Sequence, residues 1–285
     1  VCTVHPPRGD FHCSVFAAGC IRRENLKTIL LPKTGTIVPA YQPEFYRPDE
    51  RVRSHVIAIA EFTRQYLLDR YQLPPEQVEL IYQGVDTTVF SPDGAGKGAY
   101  SLPEKAAPVL GNIGSMEHRK GQGVLLEAFR EMVLALPNAH LMFVGDGPDE
   151  AMLKEKVIGL GLDDNVSFFP FTRDPAQIYP MLDLLVLPSL YKEGLPNVLL
   201  ESLATGVPVV ASNIAGVPEV VKEGKTGLLV EAGSSKQLAD AIITLWRDQS
   251  RYSAMRQNGR LLIEEQFDKQ KQFDRFLTFF DEIVR

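Results

Sequence analysis

From residue 108 onward the chain repeats one grammar: a short apolar run, a turn, an amphipathic stretch, then another short apolar run. PVLGNIG predicts a strand and GQGVLLEAFREMVLAL a helix; AHLMFVG predicts a strand and PDEAMLKEKVIGLG a helix. NVSFF, LLVLP, VPVVAS and TGLLV are further short β-rich runs, each followed by a helical or helix-like stretch. Strands that alternate with helices are joined by crossovers, and crossovers give a parallel, doubly wound sheet. The runs are apolar without clear alternation, which fits a sheet covered on both faces.

Before residue 90 the grammar is incomplete. VCTVH, HVIAIA and VELIYQ predict strands, and EFTRQYLLDRY predicts a helix. Three strands are too few to finish a doubly wound domain. The chain also opens at Val1, inside a strand-like run, so this unit reads as truncated, with the start of the natural protein upstream. VDTTVFSPDGAGKGAYSLPEK has the Pro, Gly and Ser of a linker. The expected division is a partial first domain over 1–90, a linker over 91–107, a complete second domain over 108–265, and a C-terminal helix over 266–285 that packs back on the first. In that last stretch Phe267, Phe273, Phe276, Phe279 and Phe280 recur at roughly helical spacing and read as a packing face.

The 285 residues are 45% hydrophobic and 23% charged, ordinary for a globular chain and enough for two cores. A net charge of −6 argues against a duplex nucleic-acid binder. Residues 1–76 hold ten Lys and Arg against eight Asp and Glu, and the rest hold twenty against twenty-eight. That leaves room for a membrane surface on the first half without requiring one. Three cysteines, all near the start, form no disulfide framework and suit a reducing compartment. The most apolar stretch, MLDLLVLPSL, is too short to cross a bilayer and is broken by Asp183 and Pro188.

EGLPNVLLE, residues 193–201, is the most informative stretch. Pro196 fits the first helical position. The N–H groups of Asn197 and Val198 then point outward from the first turn without intrahelical partners, where the helix dipole favours an anion. Glu201 shares their helix face and Glu193 stands in the loop ahead. A diphosphate flanked by two sugars would suit this arrangement; an ordinary loop with a surface glutamate would give the same spacing.

The Glu-x7-Glu pattern followed by SLATGVPVVASNIAGVPEVV resembles the signature of family 4 glycosyltransferases, whose fold is GT-B. AIAEFTRQYLL, QGVDTTVFSP, HRKGQGVLLEAF, FVGDGP and DLLVLPSLYKEGLPNVLLE follow in the family's order, so the resemblance covers nearly the whole chain. It implies an α/β architecture of two Rossmann-like domains. It also implies a retaining transferase that moves a sugar from a UDP-, GDP- or ADP-linked donor to a glycan or lipid-linked acceptor of the cell envelope. The setting it implies is cytoplasmic, with peripheral membrane contact through the first domain.

By the same resemblance, Glu201 would hold ribose hydroxyls, and Glu193, with Gly194 and Leu195 beside it, would face the donor sugar. The amides of Asn197 and Val198 would meet the diphosphate or sugar, and Lys120 would pair with the diphosphate. His5 matches a histidine near the reacting sugar, and Phe171 and Arg173 fall where the family meets the base. Gly145 and Asp146 end a strand, where ligands of such sheets gather, although a tight turn alone explains the glycines. Glu219 is placed near the site. One departure concerns GNIGSMEHRKG: the family carries arginine after the residue matched by Gly114, and this chain has Ser115, leaving Arg119 as the candidate substitute.

No Asp-x-Asp occurs anywhere, so neither a metal nor a cofactor is expected, and Lys120 with the helix terminus would neutralise the departing diphosphate. Cys2, His5, His12, Cys13 and Cys20 lack the CxxC pairing of a zinc site. Two rival functions are a GT-B-shaped nucleotide-sugar epimerase and a nucleotide-sugar-binding module without turnover.

Overall fold

The computed structural model describes residues 2–4, 13–25, 29–34, 51–94 and 100–284. The first unit is a four-stranded parallel sheet of β1 (Cys2–Val4), β2 (Leu30–Thr34), β3 (Val56–Ala58) and β4 (Val78–Leu80), in that spatial order. α1 (Cys13–Arg23) and α2 (Glu61–Tyr71) belong to it. The sequence reading counted three strands here; β2 is the fourth, pairing Leu30 with Cys2 and Lys33 with Ile57. Its LLPKT sequence hides it, because Pro32 has no N–H for a ladder and the run carries no alternation.

The second unit is a six-stranded parallel sheet in the order β10-β9-β8-β5-β6-β7. Its strands are β5 (Val109–Ile113), β6 (His140–Val144), β7 (Val166–Phe169), β8 (Leu184–Leu187), β9 (Val209–Ser212) and β10 (Gly227–Val230). The order runs outward from β5 in both directions, so the switch point lies between β5 and β8, and the carboxyl ends of those two strands open a crevice. α3 (Gln122–Ala135), α4 (Glu150–Leu160), α5 (Asn197–Ala204), α6 (Val217–Val220), α7 (Ser235–Arg247) and α8 (Gln249–Leu262) accompany the sheet. Only 3₁₀ turns, Pro175–Gln177 and Tyr179–Met181, follow β7, so that crossover is not an α-helix.

Every residue of β6, β8 and β9 is buried, which is why these runs show no alternation. One face packs Leu110, Leu141, Phe143, Leu184 and Val186 against Phe129, Met132 and Ile242. The other packs Met142, Val144, Leu185 and Leu187 against Leu199, Leu203 and Ile263. Each such side chain contributes about 1.5–3 kcal/mol of burial free energy.

The chain then returns to the first unit. A π turn, Ile263–Phe267, is followed by α9 (Lys269–Val284). Phe279 and Ile283 of α9 pack on Leu31, Ile57 and Ile81 of the first unit. The five phenylalanines do not share one face. Phe267, before the break at Asp268, is buried in the second unit's core, whereas Phe273, after it on α9, is exposed. Among the described residues no helix is long and apolar enough to cross a membrane.

Candidate functional site

The crevice at the switch point is a cleft of about 440 Å³. Two loops of the second unit build it. The loop after β5 brings Gly114, Ser115, Arg119 and Lys120; the loop after β8 brings Glu193, Gly194 and Leu195 and ends in α5 with Asn197 and Val198. Ile59 and Gln83 close it from the first unit.

The loops are pinned to each other by backbone geometry. Gly121 has φ +71° and caps the short 3₁₀ turn His118–Lys120. A Cβ there would lie 2.0 Å from the carbonyl oxygen of Pro188, so only glycine lets the Lys120 loop approach the end of β8. Leu190 N donates to Arg119 O at 2.7 Å, and an Arg119 Nη donates to Lys192 O at 3.3 Å. Lys192 takes φ +59°, an uncommon conformation for a side-chain-bearing residue, immediately before Glu193.

Glu193 is 5% exposed. Its Oε1 accepts from Lys120 Nζ and from Ser189 Oγ, both at 2.7 Å, and lies 3.6 Å from Arg119. This is a nearly buried carboxylate held by a fixed hydroxyl and a cation, at the mouth of a helix whose first N–H groups have no intrahelical carbonyl to reach. Pro196 serves as the cap residue, with φ −67° and ψ 123°, one position earlier than the sequence reading placed it. Asn197 therefore opens the helix.

Glu201 lies one turn further along α5 and is not among the residues that line the cleft. Its Oε2 accepts from the hydroxyl of fully buried Tyr179 at 2.6 Å. Burial raises the Glu201 carboxyl above its usual range, an effect the Tyr179 hydrogen bond partly opposes. Burial, then the Glu201 charge, drives Tyr179 well above the usual tyrosine range.

Gly145 and Asp146 brace the cleft from behind. A Cβ on Gly145 would meet Gly114 O at 2.1 Å, and Met116 N donates to Asp146 O at 2.7 Å. Phe171 is 64% exposed beyond β7, and neither it nor Arg173 lines the cleft. His5 lies outside the described residues, as do the side chains of Cys2, His12 and Cys13.

Glu219 does something the sequence reading did not anticipate. Its two carboxylate oxygens accept from Glu61 N at 2.7 Å and Phe62 N at 2.8 Å, so it caps α2 from the other unit. Residue Ala60, at the cap position of that helix, supplies no side-chain bond, and the distant carboxylate takes over. Burial, followed by the Glu219 charge, pushes the Tyr82 hydroxyl up to about 12. Gly216, in the same segment, fits between Gly194 O and Ala60: an added Cβ would lie 2.3 Å from the first and 3.4 Å from the second. The clasp thus touches the cleft loop and the first unit together. Ile59, Gln83 and Ser189 were also missed; each follows a strand, and only the topology brings the first two to the cleft and the third to Glu193.

Comparison with known proteins places this architecture. Residues 100–262 match the family described as glycosyl transferases group 1. The chain is 31% identical over 214 residues to the N-acetyl-alpha-D-glucosaminyl L-malate synthase of Bacillus anthracis, covering 74% of this chain and 55% of that protein. It is 32% identical over 224 residues to a GDP-mannose-dependent alpha-(1-6)-phosphatidylinositol monomannoside mannosyltransferase of Mycobacterium tuberculosis, covering 74% and 57%. The chain belongs to the group 1 glycosyltransferases, and it spans about half the length of the curated relatives it matches.

Its fold is GT-B. Anabaena Alr3699/HepE, solved in complex with UDP, superposes with a TM-score of 0.80 at 22% identity, over 93% of this chain and 75% of that one. The C-terminal domain of a group 1 family protein, LpcC of Francisella tularensis, superposes with a TM-score of 0.59 at 28% identity, over 65% of this chain and all of that one.

Proposed function

We propose that the cleft is the donor site of a retaining glycosyltransferase that moves a sugar from a nucleotide-diphosphate sugar to a glycan or lipid-linked acceptor. The observation that carries this reading is the Lys120–Glu193 pair, 2.7 Å apart and nearly buried, beside the open N-terminus of α5. A site of this kind meets the physical demands of the reaction. Lys120 and the first-turn amides of α5 stabilise negative charge growing on the departing diphosphate. Glu193 turns a fixed carboxylate toward donor hydroxyls. Glu201, held by Tyr179, sits on the same helix, one turn beyond Asn197, for the ribose.

The relatives support the donor class: one is named for GDP-mannose, and the HepE structure holds UDP. Glu193 and Lys120, with His5 as the third candidate, are the groups proposed to contact the reacting sugar and leaving group. No metal or cofactor is needed in this scheme. Acceptor recognition is assigned to the first unit, with the cytoplasmic face of a membrane as the setting.

Calorimetric titration with UDP, GDP and ADP, run beside Glu201→Ala, tests the assignment. Binding of one nucleotide, weakened in the variant by roughly ten- to a hundred-fold for a lost charged hydrogen bond, is the expected result. Equal affinity in the two proteins would remove Glu201 from the site.

A further inference from the structure

The mouth of the cleft holds a connected set of charge pairs. The Ser115 hydroxyl donates to Glu117 Oε1 at 2.7 Å. The same oxygen lies 2.7 Å from Arg119. Arg119 in turn lies 3.6 Å from Glu193, which Lys120 already engages. Two cations therefore face two carboxylates, and the mouth is close to neutral where a diphosphate with at least two negative charges must bind. Arg119 lines the cleft; Glu117 does not. The Glu117 and Arg119 side chains remain 34% and 26% exposed, so their pairing is screened and easily exchanged.

We propose that Arg119 is a second diphosphate-binding cation beside Lys120, and that Glu117, held by Ser115, competes with the phosphates for it. The proposal rests on the donor-site reading above. A planar guanidinium can leave the single Glu117 oxygen it holds and meet two phosphate oxygens as a fork, which a lysine at this position could not reproduce. When the diphosphate leaves, Glu117 recaptures Arg119. The competing carboxylate lowers affinity for donor and product alike, and so favours product release, a step that often limits turnover.

The sign of one substitution distinguishes this from a structural brace. Glu117→Gln keeps an acceptor for the Ser115 hydroxyl but removes the charge. Calorimetric titration with UDP, GDP and ADP at fixed ionic strength should show the preferred nucleotide binding about three- to ten-fold more tightly to this variant. Arg119→Gln should bind it about ten-fold more weakly, and the double variant should match Arg119→Gln alone. Arg119→Lys, which keeps the charge without the fork, replaces the glutamine variant if that one fails to fold, and should bind more weakly than wild type. Unchanged or weaker binding by Glu117→Gln, with Lys120→Ala still impaired, would overturn the proposal and leave the donor site standing. An equal gain in the Arg119→Gln background would also overturn it, because removal of a nearby charge would then suffice. Failure of wild type and Glu117→Gln to bind any of the three nucleotides would remove the donor site, and this inference with it.

Discussion

The two units follow the same parallel-sheet plan but supply different things to the cleft. The second contributes both loops, with their cations, carboxylates and helix terminus, on a sheet buried on both faces. Among the described residues the first contributes Ile59 and Gln83, which follow the three-residue strands β3 and β4. Among the described residues the charged groups of the cleft all lie on the second unit, and the other unit supplies a wall. That wall is held in place by Glu219 on the amides of α2 and by α9 returning across Leu31 and Ile57.

Substitutions that break this division should differ in size. Gly121→Ala puts a Cβ 2.0 Å from a backbone oxygen at a left-handed position. It should cost about 2–4 kcal/mol of stability and abolish measurable nucleotide binding, checked by chemical denaturation and titration. Lys120→Ala should weaken nucleotide diphosphate binding roughly ten- to a hundred-fold while the protein stays folded, since Arg119 remains 3.6 Å from Glu193. Glu219→Ala should cost about 1–2 kcal/mol, as loss of a helix cap does. Its distinguishing effect is that limited proteolysis should then cut first near residue 61, at the uncapped start of α2.

Smaller effects sharpen the comparison. Ala215 has φ +49°, in the region that favours glycine. Ala215→Gly should stabilise by up to about 1 kcal/mol, read as a higher unfolding temperature. Glu201→Gln tests the cost of keeping a carboxylate buried. The folded-state carboxyl is raised, so the native protein holds its proton more tightly than the unfolded chain does. This site's contribution therefore falls as pH rises from the ordinary glutamate range through the raised value, and stays lost above it. The glutamine variant should be more stable than wild type at neutral pH, with the gap closing below the ordinary glutamate range.

Much of the second unit is legible in its sequence because each strand is a compact apolar run and each turn has its glycine or proline. LLVLP becomes β8 and VPVVAS becomes β9 because both are buried on two faces. The first unit is harder to read: β2 contains Pro32, and α1 carries two cysteines and a glycine in place of a clear apolar stripe. Within the site, Lys120, Glu193 and Asn197 can be grouped from motif order, and the topology does place them around one cleft. Glu117, Ser189 and Tyr179 cannot, because their importance lies in hydrogen bonds to other side chains. Glu219 shows the limit most clearly, since its partners lie 158 and 157 residues away in sequence.

Hydrogen exchange with and without the nucleoside diphosphate tests the division of labour most directly. The account predicts slowed exchange in peptides covering 114–121 and 193–201, a weaker effect at 59–62 and 82–84, and none over 13–25. Protection confined to the first unit, or absent from both second-unit loops while binding is measurable, would contradict it.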